Sequence, residues 1–328
     1  MPAIFTNNMN LPEPLYRALM HSNYKKRGFI SVTSLIDSAL PAILKEKHDY
    51  YVDVADNVWS LFGSSMHGVL ETSADRLIEH DKASNQQARY SSEFKMDIDI
   101  EGRTLTGTTD LVQHYPEIVY DYKQTSVYKV INTDAYVCPF YGTVIRSAHK
   151  KENLDWIRQL NIYAWILRKK YGFVPKALRI IAILKDWKRA EAKKGIEYPQ
   201  KPVVVVDIPI YGDEVEQYIT SRMRYHAEQR EIAERLGADN IAHCSEKERW
   251  TQKGFYRIYK NPGDSKSTKN FYEATSPNAR AEATVFHAQL LQQHKNAKIV
   301  YTPGVDTRCE EFCEVKMHCH YYRKLHNL

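Results

Sequence analysis

Residues 104–125 read TLTGTTDLVQHYPEIVYDYKQT. β-Branched and aromatic residues on both sides of Tyr115-Pro116-Glu117 predict two strands joined by a turn at the proline. A turn centred there pairs Asp110 with Asp121 across the hairpin. Because side chains alternate between the two faces of a strand, Lys123 shares the face of Asp121. The sequence therefore predicts two carboxylates and one ammonium group at one end of a hairpin.

Two polar pairs outside the hairpin bear on whether this cluster is a site or only a surface ion pair. An isolated surface ion pair contributes little to stability, so a plain surface hairpin is the alternative interpretation. Upstream, FGSSMHGVLE places His67 and Glu71 four residues apart, on one face of a predicted helix. Downstream, WIRQLNIYAWIL gives Gln159 and Tyr163 the same spacing. The combination of the pairs with the hairpin favours a functional site.

The order of these residues along the chain resembles that of the PD-(D/E)XK nucleases. The closer resemblance is to their RecB-like branch, which includes CRISPR-associated and phage recombination nucleases. That branch carries a helix His, a G-x-x-D, a D-x-K and a Q-x3-Y, for which this chain has His67, Gly107-Thr108-Thr109-Asp110, Asp121-x-Lys123 and Gln159-x3-Tyr163. The resemblance spans about Ser31 to Arg224. It implies an α/β fold with a restriction-endonuclease-like central mixed β-sheet flanked by helices.

The resemblance also implies a divalent-metal site that hydrolyses phosphodiesters. Carboxylates hold Mg²⁺ or Mn²⁺, and the ion polarises a phosphoryl oxygen and acidifies a bound water. An imidazole among oxygen ligands favours Mn²⁺ over Mg²⁺. The implied ligands are His67, Asp110, Asp121 and the carbonyl of Tyr122, with Glu71 acting through a water or as support for the ligands.

Three further residues complete the implied catalytic set with Asp110 and Asp121. Lys123 would orient or deprotonate the attacking water and offset charge in the transition state. Gln159 and Tyr163 would position the scissile strand.

Length and composition describe a soluble globular chain. It has 328 residues, 43% hydrophobic and 26% charged, which suffices for a large core. No run of 18 apolar residues predicts a membrane span, so no membrane partner is expected. The start, MPAIFTNNMNLPEP, lacks the layout of a signal peptide, so we expect a cytoplasmic location in a bacterial or phage-infected host cell. The net charge of +6 suits a polyanion without requiring one.

The hairpin sits in a predicted series of helices and strands. The Tyr120 and Tyr122 side chains should point into the body of the fold. The remaining predicted elements are a capped start at residues 31–34 before two short helices or one helix kinked at Pro41, a helix at 54–80 with an apolar stripe on a sheet, strands from 88 to 125, a helix at 153–171, a strand at 177–187 buried on both faces, a strand at 202–208 and an amphipathic helix at 211–236.

Two segments are predicted to contact a substrate. Residues 126–152 have no clean periodicity and form either a substrate-contacting loop or a plain surface excursion. Residues 185–201, KDWKRAEAKKGIEYPQK, form either a solvated charged face or a basic flap. In the flap, Lys185, Lys188 and Arg189 would hold phosphates while Trp187 stacks on a base.

The five cysteines predict a metal site near the end of the chain. Cys309-x3-Cys313-x5-Cys319 with Cys244 could supply four thiolates to a [4Fe–4S] cluster or to structural Zn²⁺. The RecB-like branch often carries a [4Fe–4S] centre, but its first spacing is x2 and its lone cysteine precedes the nuclease motifs. Two alternatives remain open for the cluster: His318 or His320 replaces a thiolate, which favours zinc, or the thiols bind no metal. Cys138 is predicted to be a buried thiol outside the cluster.

Three segments are predicted: an irregular N-terminal arm at 1–30, a nuclease core at 31–236 and a small cysteine-rich appendage at 237–328. The expected function is a metal-dependent DNA nuclease, exonucleolytic and phage-type, acting in recombination, repair or replication. Its substrate would be single-stranded DNA or a duplex end, with RNA as an alternative. A helicase or recombinase would be a separate chain, because the sequence contains no GxxxxGK[ST] motif. The other hypotheses are a catalytically silent nucleic-acid-binding module and a structural partner of a helicase, and the intact D…DxK disfavours the silent module.

Overall fold

The structure is a computed structural model that describes residues 3–20, 29–131, 136–137, 144–145, 153–195 and 198–328. Its helices are α1 (Glu13–Leu19), α2 (Val32–Ile36), α3 (Ala39–Lys47), α4 (Val58–Ala83), α5 (Leu154–Tyr171), α6 (Arg189–Ala192), α7 (Glu214–Arg235), α8 (Ala279–Gln293) and α9 (His320–Leu325). Its strands are β1 (Ala3–Thr6), β2 (Phe29–Ser31), β3 (Tyr50–Asp53), β4 (Tyr90–Ile100), β5 (Arg103–Gln113), β6 (Ile118–Thr125), β7 (Tyr136–Val137), β8 (Val144–Ile145), β9 (Ala177–Leu184), β10 (Val203–Ile208), β11 (Thr251–Gln252), β12 (Phe255–Tyr259), β13 (Lys269–Tyr272), β14 (Lys298–Thr302) and β15 (Val305–Asp306).

A six-stranded mixed sheet lies at the centre of the first of two compact units, which comprises residues 1–39 and 49–235. The strand order is β10-β9-β6-β5-β2, and β4 also pairs with β5. The β6–β9 and β2–β5 pairs are parallel, and the others are antiparallel. Helices α4 and α5 pack against this sheet. The predicted mixed α/β fold with a central sheet flanked by helices is therefore confirmed at this level.

Local sequence signals set the main boundaries. The hairpin pairs Val112 with Val119 and Gln113 with Ile118, so the register predicted from the turn is confirmed. The Ser31 side chain accepts the backbone N–H of Ser34 at 3.2 Å and caps α2, as predicted. Helices α2 and α3 are separate, so the alternative of two short helices is confirmed, but the break precedes α3 and Pro41 lies in the first turn of α3. Helix α5 ends at Gly172, whose φ of 67° is the left-handed conformation that glycine tolerates.

Burial differs from the sequence prediction in two strands. On β6, Asp121 is buried under α5 while Tyr120 and Tyr122 are only half-buried, so the deeper face is the one that carries the carboxylate. Strand β9 alternates between buried and half-buried residues, so the prediction of burial on both faces is wrong for one face. On that face Arg179 pairs with Asp207 of β10 at 2.9 Å, which explains its partial exposure.

Helix α4 also differs, because its predicted apolar stripe is covered only in part. Phe62, Val69 and Leu77 are exposed, whereas Ala74 and Asp81 are the buried residues of the helix. Only a narrow line of α4 side chains is therefore packed, and the helix presents apolar and aromatic side chains at the surface.

The second unit comprises residues 40–48 and 236–328. It contains most of α3, a segment that the sequence prediction placed in the nuclease core. A three-stranded antiparallel sheet in the order β13-β12-β14 packs against α8 through Ile258, Phe271, Ala279 and Ala283.

Two predictions concern residues that the structure does not describe. Most of the segment 126–152, predicted as a substrate loop, and Cys138 within it lie outside the described residues. Among the helices of the described ranges, none is both long and apolar enough to cross a membrane.

Candidate metal centre

The β5–β6 hairpin opens at the position where its two acids meet. The backbone ladder ends at the Leu111–Tyr120 pair. One residue further, Asp110 Oδ2 accepts the backbone N–H of Tyr122 at 2.6 Å. The Asp110 side chain thus accepts a backbone N–H of β6 beyond the last pair of the ladder. This hydrogen bond holds Asp110 and Asp121 at the same end of the hairpin.

Asp121 is the most buried acid of this cluster, with 1% of its surface exposed. Lys123 Nζ lies 2.6 Å from Asp121 Oδ2, an ion pair that lacks hydrogen-bond geometry. Gln159 Nε2 donates to Asp121 Oδ1 at 3.0 Å. Burial raises the pKa of Asp121 to about 6 and Asp110 adds to the rise, while Lys123 opposes it. The Asp121 carboxylate is therefore short of positive charge, which is what a bound cation supplies.

Gln159 and Tyr163 connect α5 to this carboxylate. The Gln159 amide donates from Nε2 to Asp121 and also to the Tyr163 hydroxyl at 3.0 Å. Both side chains are buried. They therefore lie beneath Asp121 and hold its carboxylate, and their role in positioning a scissile strand stays a prediction.

Gly107 is required by this packing. A Cβ atom added at Gly107 would lie 2.8 Å from Tyr163 Cε1 and 3.3 Å from a methyl group of Val32. Carbon atoms do not approach this closely, so any larger residue would push the Tyr163 ring away from Gln159. The glycine of the G-x-x-D stretch and the tyrosine of the Q-x3-Y stretch are thus in direct contact.

His67 reaches the centre from α4. Its Nδ1 lies 3.5 Å from Asp110 Oδ1, and its ring meets the Tyr122 ring edge-on at a centroid distance of 6.2 Å. The hydrogen bond with Asp110 raises the pKa of His67, and burial opposes that rise only in part. Glu71, one turn further along α4, is exposed.

Glu93 is a member of this centre that the sequence analysis did not identify. Ligand atoms of His67, Glu93 and Asp110 lie within 4.8 Å of one another, the only such group of three or more among the described residues. The β4–β5 register, which pairs Ser92 with Leu111, places Glu93 opposite Asp110. A turn centred at Glu101-Gly102 gives the same pairing from the sequence.

The donor set has the chemistry of a divalent-cation site. The imidazole of His67 and the carboxylates of Glu93 and Asp110 lie together, with the Asp121–Lys123 ion pair next to them. Burial and the neighbouring Asp110 raise the pKa of Glu93, so the acids crowd one another without enough positive charge. Oxygen-rich sets with one imidazole suit Mn²⁺ or Mg²⁺ better than softer metals.

Of the predicted basic flap, Lys185, Lys188 and Arg189 are exposed. Trp187 is not free to stack, because its Nε1 donates to the Pro199 carbonyl at 2.7 Å and its ring packs on the core. The exposed aromatic residue here is Trp59 of α4. Lys185 Nζ lies 4.5 Å from the Trp59 ring centroid.

The four clustered cysteines meet in the second unit. Cys244, Cys309, Cys313 and Cys319 line one pocket, together with Leu40, Leu44, Val315, Tyr321 and Tyr322. Burial raises the pKa of the Cys309 thiol to about 12, and the other cysteines add to the rise. Burial also raises the pKa of Cys313. Thiolates in such surroundings need a metal cation to be stable.

The two histidines considered as alternative ligands lie elsewhere. His318 stacks on His48 with ring centroids 4.3 Å apart, and His320 faces His243. Neither lines the cysteine pocket. One wall of the pocket is held by Arg249 and Tyr321, which both donate to the buried Asp306 carboxylate at 2.9 and 2.7 Å.

Comparison with known proteins gives limited similarity. No family model matches the chain, and no curated protein matches it in sequence. The solved structure of a protein named SSO0001 shares 15% identity over 65% of this chain and 83% of that chain, with a TM-score of 0.39. A protein from Eubacterium rectale described as a "putative exonuclease" shares 11% identity over 67% of this chain and 71% of that chain, with a TM-score of 0.25. Similarities of this size do not assign a family or an activity.

Proposed function

We propose that the first unit is a metal-dependent phosphodiester hydrolase of the PD-(D/E)XK type that acts on DNA. The observation that carries the proposal is the convergence of His67, Glu93 and Asp110 within 4.8 Å, with the Asp121–Lys123 ion pair next to them. Acidic and imidazole donors around one point, next to an ammonium group, are what phosphodiester hydrolysis requires. The proposal includes a restriction-endonuclease-like fold for residues 31–236 and a cytoplasmic location.

Each side chain has a role that follows from its contacts. His67, Glu93 and Asp110 would hold the cation, with Asp121 completing the oxygen ligands, and the ion would polarise the phosphoryl oxygen and acidify a water. Lys123 is placed to orient the attacking water and to offset charge on the phosphorus centre.

Gln159 and Tyr163 are positioning residues. Both Nε2 hydrogens of Gln159 are used, one on Asp121 and one on Tyr163. The Asp121 carboxylate is thereby held in one orientation before a substrate arrives, which lowers the reorganisation needed during the reaction.

DNA with an unpaired end is the proposed substrate class. Trp59 and Lys185 lie side by side at the surface, and Lys185 follows the end of β9, the strand beside the one that carries Lys123. An exposed indole can stack on an unpaired base, and the ammonium can pair with a phosphate. The same chemistry accepts RNA, so the substrate test includes it. Any motor or recombinase would be a separate partner chain.

The test is cleavage of labelled single-stranded DNA, duplex DNA and RNA with Mn²⁺ or Mg²⁺, and then with EDTA. We expect metal-dependent cleavage that is lost in Asp121→Ala and Lys123→Ala, while DNA binding remains. A matched control is Lys82→Ala, which removes an exposed lysine from the last turn of α4. Cleavage by either purified active-site variant at the wild-type rate would remove the assignment.

For the second unit we propose that the four cysteines hold a [4Fe–4S] cluster. Among the described residues, no three sulfurs lie within 4.8 Å of one another. The sulfurs of a tetrahedral zinc site, with Zn–S bonds of about 2.3 Å, would lie roughly 3.8 Å apart. The wider spacing of the cysteine sulfurs and the absence of a histidine from the pocket lining favour a [4Fe–4S] cluster over a single zinc ion.

The cluster would stabilise residues 236–328 by joining Cys244 to the C-terminal cysteines. Anaerobically purified protein should be brown, with absorption near 400 nm that is lost in Cys309→Ser. His318→Ala should keep the colour, because His318 stacks on His48 outside the pocket. Colourless protein that contains one zinc per chain would show that the thiolates bind zinc instead.

A further inference from the structure

The sheet β13-β12-β14 has two unlike faces. Helix α8 covers the face that carries Ile258 and Phe271. Because side chains alternate, the strand register assigns the intervening residues to the opposite face. This aromatic sheet face consists of Phe255, Arg257, Tyr259, Asn270, Tyr272, Lys298, Val300 and Thr302. None of these eight residues is buried.

A fixed pair of rings lies at one end of the aromatic sheet face. Phe255 and Tyr272 lie opposite each other on adjacent strands, with centroids 5.4 Å apart. Asn270 Nδ2 donates to the Tyr272 hydroxyl at 3.1 Å and so holds the ring. Tyr272, the last residue of the edge strand β13, is 45% exposed. A ring held in place and open to solvent provides a stacking surface at little entropic cost.

Cations surround these rings, and the aromatic sheet face contains no carboxylate. The Arg257 guanidinium lies 5.1 Å from the Phe255 centroid and donates to Thr302 Oγ1 at 3.0 Å. Lys298 Nζ lies 5.3 Å from the Tyr259 centroid. The charge of this face is therefore complementary to a polyanion.

Aromatic rings interleaved with cations fit one class of polyanion better than others. Unpaired bases expose their π-faces to the rings while the phosphates meet the cations. In a duplex the bases are already stacked on one another, so flat rings on a sheet gain little from them. A membrane surface would meet the cations but would leave the fixed, hydroxyl-bearing rings without a specific role.

We propose that the aromatic sheet face of the second unit binds single-stranded nucleic acid. This site goes beyond the proposed hydrolytic centre, with which it shares no residue. Tyr272 and Phe255 would stack on consecutive bases, and Arg257 and Lys298 would pair with the phosphates.

The test measures the affinity of the full-length protein for a fluorescein-labelled oligothymidylate of about 20 nucleotides, by fluorescence anisotropy in EDTA. All proteins carry Trp59→Ala, which removes the stacking proposed beside the metal centre. Tyr272→Ala should weaken binding by about 5- to 100-fold, the effect of one lost base–aromatic stack. Lys298→Glu should weaken binding and flatten its salt dependence.

The opposite face of the same sheet provides matched controls. Tyr301 is 47% exposed and lies on the helix-covered face, as does Lys269. Tyr301→Ala and Lys269→Glu should bind within about twofold of the parent, since surface changes away from a site have small effects. Equal losses in the two sets, or wild-type affinity in Tyr272→Ala and Lys298→Glu, would overturn the proposal. A changed oligomeric state with unchanged DNA affinity would instead identify the face as a contact between copies.

A small diester separates this proposal from the hydrolytic one. Bis(p-nitrophenyl) phosphate requires only the metal centre, so Tyr272→Ala should hydrolyse it with an unchanged kcat. If the protein cleaves neither DNA nor bis(p-nitrophenyl) phosphate, but Tyr272→Ala still weakens oligothymidylate binding, the single-strand site is supported and the proposed hydrolase activity is ruled out.

Discussion

Glu93 falls opposite Asp110 by the register of the β4–β5 pairs on either side of it, and Asp110 falls opposite Asp121 when the β5–β6 register is continued by one pair. Three neighbouring strands thus each contribute one carboxylate to a single row. Glu93 has a φ of 44°, outside the extended region, in the middle of an otherwise regular strand. Such a local conformation costs free energy and occurs mainly where a side chain must be aimed, here at His67 and Asp110.

We therefore expect Glu93→Gln to weaken Mn²⁺ binding by about 10- to 100-fold, the range seen when a group supporting a metal is lost. Titration calorimetry with Mn²⁺ measures this directly, and the cleavage rate should fall in parallel. Glu71→Gln is the matched control, because Glu71 is exposed and stands outside the group of His67, Glu93 and Asp110. If Glu71→Gln instead binds Mn²⁺ more weakly than Glu93→Gln, then Glu71 rather than Glu93 supports the metal, as the resemblance implied.

Asp121→Asn should separate stability from activity. Burial raises the pKa of Asp121 from 3.8 to about 6. The folded state therefore holds the proton more tightly than the unfolded state, so this carboxylate destabilises the metal-free protein above pH 6 and does so less as the pH falls toward 3.8. The rise corresponds to at most about 3 kcal/mol.

In EDTA at pH 7.5, Asp121→Asn should raise the free energy of unfolding by about 1–3 kcal/mol while abolishing cleavage. Excess Mn²⁺ should stabilise the wild type and have little effect on the variant. Urea denaturation with and without metal measures both. Asp97→Asn, which alters a surface acid paired with Lys170, should change stability by less than about 0.5 kcal/mol. A less stable Asp121→Asn protein in EDTA would show that the acid is structural.

The sequence predicted the parts of this centre that depend on local spacing. The turn at Pro116 and the alternation of strand residues set Asp110, Asp121 and Lys123 together, because both signals act over a few residues. His67 followed from its place on a helix and from the resemblance. Glu93 required the register of a second hairpin, for which the Glu101-Gly102 turn held the information.

Other features depend on contacts between distant segments and were not readable. The exposure of Phe62, Val69 and Leu77 was missed because a helical apolar stripe is normally packed, and only the tertiary structure shows that α4 uses a narrower line. The grouping of residues 40–48 with the cysteine-bearing segment joins parts of the chain about 200 residues apart. Propensity and periodicity carry no signal at that range.

Gly107→Ala should damage the site through Tyr163. The added methyl group would lie 2.8 Å from Tyr163 Cε1, so the ring must move and the Tyr163–Gln159–Asp121 connection must change. We expect a loss of about 1–3 kcal/mol of stability, as for other overpacked cores, and a lower kcat with little change in KM. Steady-state kinetics and thermal melts measure the two effects.

Gly63→Ala is the matched control for Gly107→Ala. No atom lies within 4 Å of a Cβ at Gly63, which is inside helix α4. Alanine should stabilise that helix by about 0.5–1 kcal/mol and leave kcat unchanged. If Gly107→Ala behaves in the same way, then Tyr163 does not orient Asp121.

His226 should make the first unit sensitive to acid. This side chain is 3% exposed, and its Nε2 lies 3.2 Å from the Leu35 carbonyl. Burial, and then the charge of Arg222, lower the pKa of His226 from 6.5 to about 4. Between pH 6.5 and pH 4 the imidazole binds a proton in the unfolded chain but stays neutral in the folded protein. The stability of the folded protein is therefore complete above pH 6.5 and is lost as the pH falls toward 4.

The loss between pH 7.5 and pH 4.5 should be about 2–3 kcal/mol for this one group. Urea denaturation of the wild type and of His226→Gln at both pH values measures it, since glutamine can still donate to Leu35 but does not titrate. Asp121 titrates over part of the same interval in both proteins, so its effect cancels in the comparison. The wild type should therefore lose more stability on acidification than the variant. Equal losses would mean that His226 is protonated in the folded protein, with its imidazolium accommodated beside Arg222.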